Sequence, residues 1–99
     1  MAGSSSVAKV MPYNGVLKNM AVFVQENGLT GSTTITAYKN GVATSLVVTV
    51  SGGSTGRFYD NTHTASFNKG NNLDTNVHTG QGGEQAKIIL SVSYEYEEA

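Results

Sequence analysis

The sequence predicts an all-β protein, a two-sheet antiparallel β-sandwich whose connections are jelly-roll-like. Segments with alternating apolar and polar residues recur along the chain, turns rich in Gly, Asn and Ser separate them, and no segment has the apolar stripe of a helix. An immunoglobulin-type sandwich is not favoured, because the chain has neither cysteine nor tryptophan. Long Gly-rich connections favour a jelly roll instead, since they are able to cross from one sheet to the other.

The strongest local signal is a hairpin at the centre of the chain. Two strand-like runs, Thr34–Tyr38 and Leu46–Val50, lie on either side of Asn40-Gly41. Asn-Gly is the dipeptide that most readily takes the two positive φ angles of a type I′ turn. We therefore expect a hairpin that turns at this dipeptide.

Two elements and one long strand are predicted before the hairpin. Ser5–Val10 is expected to form an edge strand or an extended arm, and Pro12–Gly15 a turn, because proline cannot donate to a strand ladder. Val16–Gln25 is predicted as one regular strand. Alternation then assigns its side chains to two faces, with Val16, Met20, Val22 and Val24 on one, where Lys18 is the exception, and Leu17, Asn19, Ala21 and Phe23 on the other.

The second half of the chain predicts a turn and three strands. Arg57–Asn61 is interpreted as a turn, and Thr62–Asn68, Leu73–Val77 and Ile88–Tyr96 as strands, of which the last is the longest. Together these strands give a single apolar core. We expect it to contain Met20, Val22, Val24, Ile35, Leu46, Val48, Val50, Phe67, Leu73, Ile88, Leu90 and Val92.

The chain of 99 residues is long enough for one hydrophobic core. We expect residues 1–10 to be a flexible N-terminal arm with a possible edge strand, and residues 11–99 to be a single β-sandwich domain. Because there is no cysteine to form disulfides, a domain of this size either packs an efficient core or gains stability by association. Neither a membrane helix nor a signal peptide is predicted, since no apolar stretch is long enough.

The charge pattern argues against nucleic-acid binding. Six basic and seven acidic residues give a formal net charge of −1, and the basic residues are scattered along the chain. A protein that binds nucleic acid normally needs a basic stripe to displace counterions from the phosphates. We therefore expect no nucleic-acid partner.

No metal or cofactor site is expected. The two histidines, His63 and His78, are far apart in the sequence, and no tight ligand spacing joins them to Asp60, Asp74 or Glu84. The Asn- and Asp-rich segments 60–61 and 71–74 offer oxygen ligands for calcium, but these residue types are also what ordinary turns use.

No catalytic site is expected either, so the protein is predicted not to be an enzyme. Serine and threonine are abundant, but there is no Gly-x-Ser-x-Gly elbow to support a nucleophile. Three of the seven acids are crowded into Glu95–Glu98, which leaves few for a glycosidase pair. The segment Gly52–Gly56 lacks the Lys-Ser/Thr of a phosphate-binding loop.

Several apolar and aromatic side chains are candidates for an interface. On a sheet with one face in water, side chains on the face opposite the core should be polar. Phe23, Val47 and Ile89 are apolar although the alternation assigns them to that face. They are explained either by covering loops or by contact with a subunit or partner. A second candidate is the aromatic segment that begins at Arg57. The candidate interface residues are Phe23, Val47, Ile89, Arg57, Phe58 and Tyr59.

The chain resembles a small jelly-roll virion domain of tailed bacteriophages. The resemblance rests on Met11–Val24, on Thr36–Leu46 with its Lys-Asn-Gly-Val hairpin, on Ser66–Leu73 and on Ile88–Ser93. The resemblance covers most of the chain, from about Met11 to Tyr96, as a general pattern of strands and turns and not as a defined sequence motif. One departure is Asn71, where such domains often have an Asp after the glycine, and this weakens a calcium interpretation there.

This resemblance implies a capsid decoration (cement) protein or the head of a fibre. A single short domain without a coiled-coil stalk favours the decoration protein, located on the capsid surface of the virion after synthesis in the host cytoplasm. The implied partners are the major capsid protein and further copies of the chain, as a dimer or trimer. The alternative is a carbohydrate- or receptor-binding module of a phage fibre, with a glycan as its ligand.

Overall fold

A computed structural model of the protein describes residues 9–82 and 86–99. These residues form two antiparallel sheets that pack against each other, which confirms the predicted all-β sandwich. No helix among them is long and apolar enough to cross a membrane. In chain order the strands are β1 (Lys9–Val10), β2 (Gly15–Asn27), β3 (Thr33–Lys39), β4 (Val42–Val50), β5 (Gly56–Phe67), β6 (Asn72–His78) and β7 (Ile88–Glu98).

The chain repeatedly crosses between the two sheets. One sheet has the order β1-β6-β3-β4, and the other has the order β5-β2-β7. Among the described strands, only β3 and β4 are consecutive in sequence and also lie in the same sheet. The Gly-rich connections therefore pass from sheet to sheet, as the sequence predicts.

The central hairpin has the predicted turn. Lys39 pairs with Val42, which leaves Asn40 and Gly41 as the two loop residues, and their φ angles are 51° and 80°. Two successive positive φ angles are the signature of a type I′ turn, whose twist matches that of the flanking strands.

A bulge in β2 changes the predicted facing of its side chains. Lys18 pairs with Glu95 of β7 and Ala21 with Ser93, so Asn19 and Met20 together stand opposite the single residue Tyr94. On the other side of β2, Asn19 alone stands opposite residues 61–63, where β5 carries a bulge of its own. Asn19 has a φ of 52°, a conformation that Asn tolerates better than most residues. The bulge shifts the alternation by one, so Leu17 is buried in the core instead of on the opposite face.

Two other boundaries differ from the prediction. The segment Arg57–Asn61 is part of the long strand β5 and not a turn, because the Asp-Asn signal marks a bulge within a strand. At the N-terminus, Lys9 and Val10 pair with Leu73 and Asn72 as the two-residue strand β1. The rest of the predicted edge strand and arm, residues 1–8, lies outside the described residues.

Nine of the twelve predicted core residues are buried, and three are half-buried. The exceptions, Ile88, Leu90 and Val92, face inward from β7 and pack at the margin of the core. β7 is an edge strand, and the facing sheet ends nearby in the two-residue β1, so little covers these side chains. The buried core is made of Met11, Leu17, Met20, Val22, Val24, Ile35, Ala37, Leu46, Val48, Val50, Ala65, Phe67 and Leu73.

Candidate functional site

The outer face of the three-stranded sheet presents an exposed aromatic residue at its centre. Phe23 lies on the middle strand β2, with Arg57 of β5 and Ser91 of β7 directly opposite on either side. Its side chain is 40% exposed, and the Arg57 guanidinium lies 5.1 Å from the ring centroid. This distance is within the range of a cation–π interaction, so the two side chains form one amphipathic unit.

A shallow depression adjoins this unit. Ala21 pairs with Tyr59 on one side and Ser93 on the other. The small alanine side chain leaves space between these neighbours. The depression has a volume of about 140 Å³, and Phe23, Arg57, Tyr59 and the serines of β7 line it. Tyr59 is 57% exposed and forms the rim.

The six predicted interface residues do not form one surface. Ile89 lies two residues before Ser91 on the same face of β7 and is 41% exposed, so it extends the patch of Phe23, Arg57 and Tyr59. Val47, in contrast, lies on β4 of the other sheet, and Phe58 points inward and packs against the core. Four of the six share the outer face of the three-stranded sheet, and we call them the outer patch: Phe23, Arg57, Tyr59 and Ile89.

Charged residues bound the outer patch at the other end of the sheet. The Lys18 ammonium lies 2.8 Å from a Glu97 carboxylate oxygen and 3.8 Å from Glu95, and the Asn19 amide donates to Glu95 at 2.7 Å. The hydrogen bond to Glu97 raises the pKa of Lys18, so this exposed cation stays charged. The face therefore has an aromatic half and an ionic half.

The second notable group surrounds Asp60, the buried acid at the β5 bulge. Its carboxylate accepts hydrogen bonds from the backbone N–H groups of Val47, Thr62 and His63 at 3.1, 3.2 and 3.2 Å. The Thr62 hydroxyl donates to it at 3.1 Å, and His63 Nδ1 lies 2.8 Å away. Burial alone would raise the pKa of Asp60, but the hydrogen bonds from Val47, His63 and Thr62 outweigh it and hold the pKa far below its usual range.

This geometry gives Asp60 a structural role. Three of its donors lie in the bulge, and Val47 lies on β4 of the facing sheet, so one carboxylate fixes the bulge and joins the sheets. His63 belongs to β5 and His78 to β6, in different sheets. Within residues 9–82 and 86–99, no three His, Cys, Asp or Glu side chains come together closely enough to hold a metal ion. Glu84 lies outside the described residues.

A wider cleft opens between β6 and β7, at the edge of the sandwich. It has a volume of about 370 Å³ and is lined by apolar floor residues and by two tyrosines. The Tyr94 hydroxyl lies 2.6 Å from the Thr75 hydroxyl across the cleft, and the Lys9 ammonium lies 4.3 Å from the centroid of the Tyr96 ring. Burial is the main cause that raises the pKa of both tyrosines, so both hydroxyls are protonated at neutral pH.

Sequence reasoning missed two parts of this arrangement. Ala21, Ser91 and Ser93 belong to the outer patch region because they lie beside Phe23 and Tyr59 across the strands, and pairing register is not visible in one sequence. The cleft was missed because the tyrosines of β7 are in register with Leu90 and Val92, a pattern typical of core packing.

Comparison with known proteins gives no identification. No protein-family model, no curated protein and no solved structure matches this chain.

Proposed function

We propose that this chain is a non-enzymatic structural protein that docks onto a protein surface through the outer patch. The observation that supports this is the exposure of Phe23, Arg57 and Tyr59 side by side on a rigid sheet face. Aromatic residues and arginine are the types that dominate binding energy at protein interfaces, whereas an ordinary solvated sheet face is polar.

The biological setting that we propose is the capsid surface of a tailed phage. The support for it is the resemblance of the strand and turn pattern to virion domains, together with the two-sheet antiparallel fold. In this setting the major capsid protein is the partner, and the protein acts as a decoration protein after synthesis in the host cytoplasm. Many copies on one shell would each add a modest contact energy and so resist internal pressure.

The chemistry of the described residues also favours a binding role over catalysis. Asp60 is the most perturbed acid, yet its carboxylate already accepts hydrogen bonds from Val47, Thr62 and His63. An acid saturated in this way and buried is a poor general base, because a substrate proton has no free oxygen to reach. We therefore propose no reaction for it.

Binding to phage shells tests this proposal. The experiment measures co-sedimentation of the purified protein with empty shells of the phage that encodes it, and the melting temperature of the shells with and without it. Tyr59→Ala and Phe23→Ala should each weaken binding about tenfold or more, because they remove central aromatic anchors. Thr49→Ala, an exposed change on the other sheet, is the matched control. Wild-type protein that neither sediments with shells nor raises their melting temperature would contradict the capsid role.

The second candidate function is carbohydrate or receptor binding, as in a fibre head. The cleft between β6 and β7 favours it, because aromatic rings stand beside hydroxyl, carboxylate and ammonium groups at Tyr94, Tyr96, Thr75, Asp74 and Lys9. Such a mixture suits a sugar, which presents both apolar ring faces and hydroxyls. Binding to a glycan array in the absence of shells, lost in Tyr96→Ala but kept in Tyr59→Ala, would favour this function over the first.

A further inference from the structure

β7 is a long edge strand that nothing covers among the described residues. It runs from Ile88 to Glu98 and pairs with β2 on one side, and no strand of residues 9–82 or 86–99 lies on the other. Both β-bulges in the pairing of β2 with β7 lie on β2. Residues 18–21 of β2 lie opposite residues 95–93 of β7, and residues 24–26 of β2 lie opposite residues 90–89 of β7. β7 itself is therefore a regular strand whose outer backbone groups are open to pairing.

The opposite side of the sandwich is closed by side chains. The edge strands β4 and β5 lie next to each other there, and three bonds join the two sheets across that side. Asp60 accepts from the Val47 N–H at 3.1 Å, the Ser45 hydroxyl donates to the Thr64 carbonyl at 3.4 Å, and Lys39 Nζ donates to the Ser66 carbonyl at 3.0 Å. These contacts occupy backbone groups that another strand would need.

The edge of β6 is also protected. β1 covers its first residues, and the Thr75 backbone N–H is bonded to the Asp74 carboxylate at 2.7 Å. No comparable side-chain bond reaches the backbone of β7 from the part of the chain that the structure describes. β7 is thus the edge left ready for a partner strand.

The residues of β7 suit a symmetrical partner. Its first half, Ile88–Ser93, contains no charge and is rich in residues that favour strands, while Glu95, Glu97 and Glu98 follow at its end. Lys87 immediately precedes it. A parallel partner strand would align like charges, whereas an antiparallel copy aligns the basic end with the acidic end.

We propose that β7 pairs with β7 of a second copy of this chain, antiparallel about a two-fold axis at Ser91. This register places Ser91 opposite itself, Leu90 opposite Val92, and Lys87 opposite Glu95 of the other copy. In each of these pairs, side chains that face the core lie beside core-facing side chains of the other copy, and outward-facing side chains lie beside outward-facing ones. The two three-stranded sheets therefore join into one continuous sheet. The dimer contact is independent of the capsid role, because it uses the strand edge and leaves the outer patch exposed.

The half-buried side chains of β7 are explained by this contact. Ile88, Leu90 and Val92 face inward but remain partly exposed at the open edge of the sandwich. In this register Leu90 and Val92 lie opposite Val92 and Leu90 of the copy, and Ile88 lies opposite its Tyr94. Burial of apolar surface and a row of new backbone hydrogen bonds then stabilise the dimer together.

Disulfide trapping tests the register, since the chain has no cysteine of its own. Under mild oxidation, Ser91→Cys should form a covalent dimer, because residues paired at the axis lie within the Cα separation of about 7 Å that a disulfide allows. Ser93→Cys is the control, since the two copies of residue 93 would lie about 13 Å apart along the strands. Equal cross-linking of both variants, or none of Ser91→Cys, would overturn the proposal.

Charge reversal gives a second test that does not depend on oxidation. Sedimentation equilibrium should show that Lys87→Glu weakens the dimer about tenfold and that adding Glu95→Lys restores it, because the two positions meet across the axis. Lys87 also lies 3.4 Å from Glu26 of its own chain, so Glu26→Lys is the control and should leave the dimer unchanged. A wild-type chain that stays monomeric at millimolar concentration, or a double variant no stronger than Lys87→Glu, would refute the pairing.

Discussion

Replacing Asp60 with alanine should destabilise the sandwich strongly, although the residue is polar and contributes no apolar side chain to the core. Its side chain is 6% exposed and accepts backbone N–H groups from Val47, Thr62 and His63. Alanine offers no acceptor. The Val47 N–H would then lose the carboxylate that it donates to, and the bulge would lose the group that organises it.

The size of the effect follows from these bonds. A hydrogen bond to a charged group contributes about 1.5–3 kcal/mol, and a buried donor left without a partner costs about 1–3 kcal/mol. The donors of Val47, Thr62 and His63 all reach water once the carboxylate is gone, because all three residues are exposed. The contributions are therefore not additive, and we expect a loss of about 2–4 kcal/mol in the free energy of unfolding.

The same residue should give the stability a characteristic pH dependence. The pKa of Asp60 is held well below its ordinary value of 3.8 by the hydrogen bonds that outweigh its burial. A depressed folded-state pKa contributes stability above the unfolded value, and this contribution is lost as the pH falls through the folded value. Wild-type protein should therefore lose stability below about pH 4, and Asp60→Ala should lose less over the same range.

Urea unfolding followed by circular dichroism at pH 7 and at pH 3 measures both effects. Asp74→Ala is the matched control, because Asp74 is half-buried and accepts one local N–H, from Thr75 at 2.7 Å. It should cost under about 1 kcal/mol. An Asp60→Ala variant within about 0.5 kcal/mol of wild type, or one with the wild-type pH dependence, would refute the role given to this carboxylate.

Two further predictions concern the core and the hairpin. Leu46→Ala should lower the free energy of unfolding in urea by about 2–5 kcal/mol, because Leu46 is 0% exposed. Leu90→Ala should lower it about half as much, because Leu90 is half-buried. Equal losses for the two variants would contradict the open edge at β7. Gly41→Ala should cost about 1–2 kcal/mol, because Gly41 has a φ of 80° with nothing within 4 Å of an added Cβ. Gly28→Ala, where φ is not in the left-handed region, should cost under about 0.5 kcal/mol in the same assay; a similar loss at both glycines would show that strain at the turn is not the cause.

The sequence is sufficient to predict the fold class and the hairpin, because both depend on local patterns. The alternation of apolar residues needs no knowledge of neighbours, and Asn40-Gly41 specifies its own turn. The bulge at Asn19 was not predicted, although Lys18 breaks the apolar alternation of Val16–Gln25 directly beside it, because one polar residue on an apolar face does not by itself indicate an extra residue. Leu17 was therefore assigned to the wrong face.

Only part of the candidate site could be predicted, because local alternation shows which side chains face outward but not which strands are neighbours. Phe23 and Ile89 were recognised as apolar residues on the wrong side of their strands, and the structure places them on one face with Arg57 and Tyr59. Val47 satisfied the same local criterion but belongs to the other sheet. Which strands share a sheet depends on long-range pairing, and a local pattern does not contain that information.

Hydroxyl-radical footprinting of the protein bound to phage shells tests the central claim, docking through the outer patch, most directly. Two exposed side chains on opposite sheets serve as reporters: Tyr59, which is 57% exposed on the three-stranded sheet, and Val42, which is 67% exposed on the four-stranded sheet. Docking through the outer patch predicts strong protection of Tyr59 and Phe23 on the shell and unchanged labelling of Val42. Protection of Val42 with unchanged labelling of Tyr59 and Phe23 would contradict it.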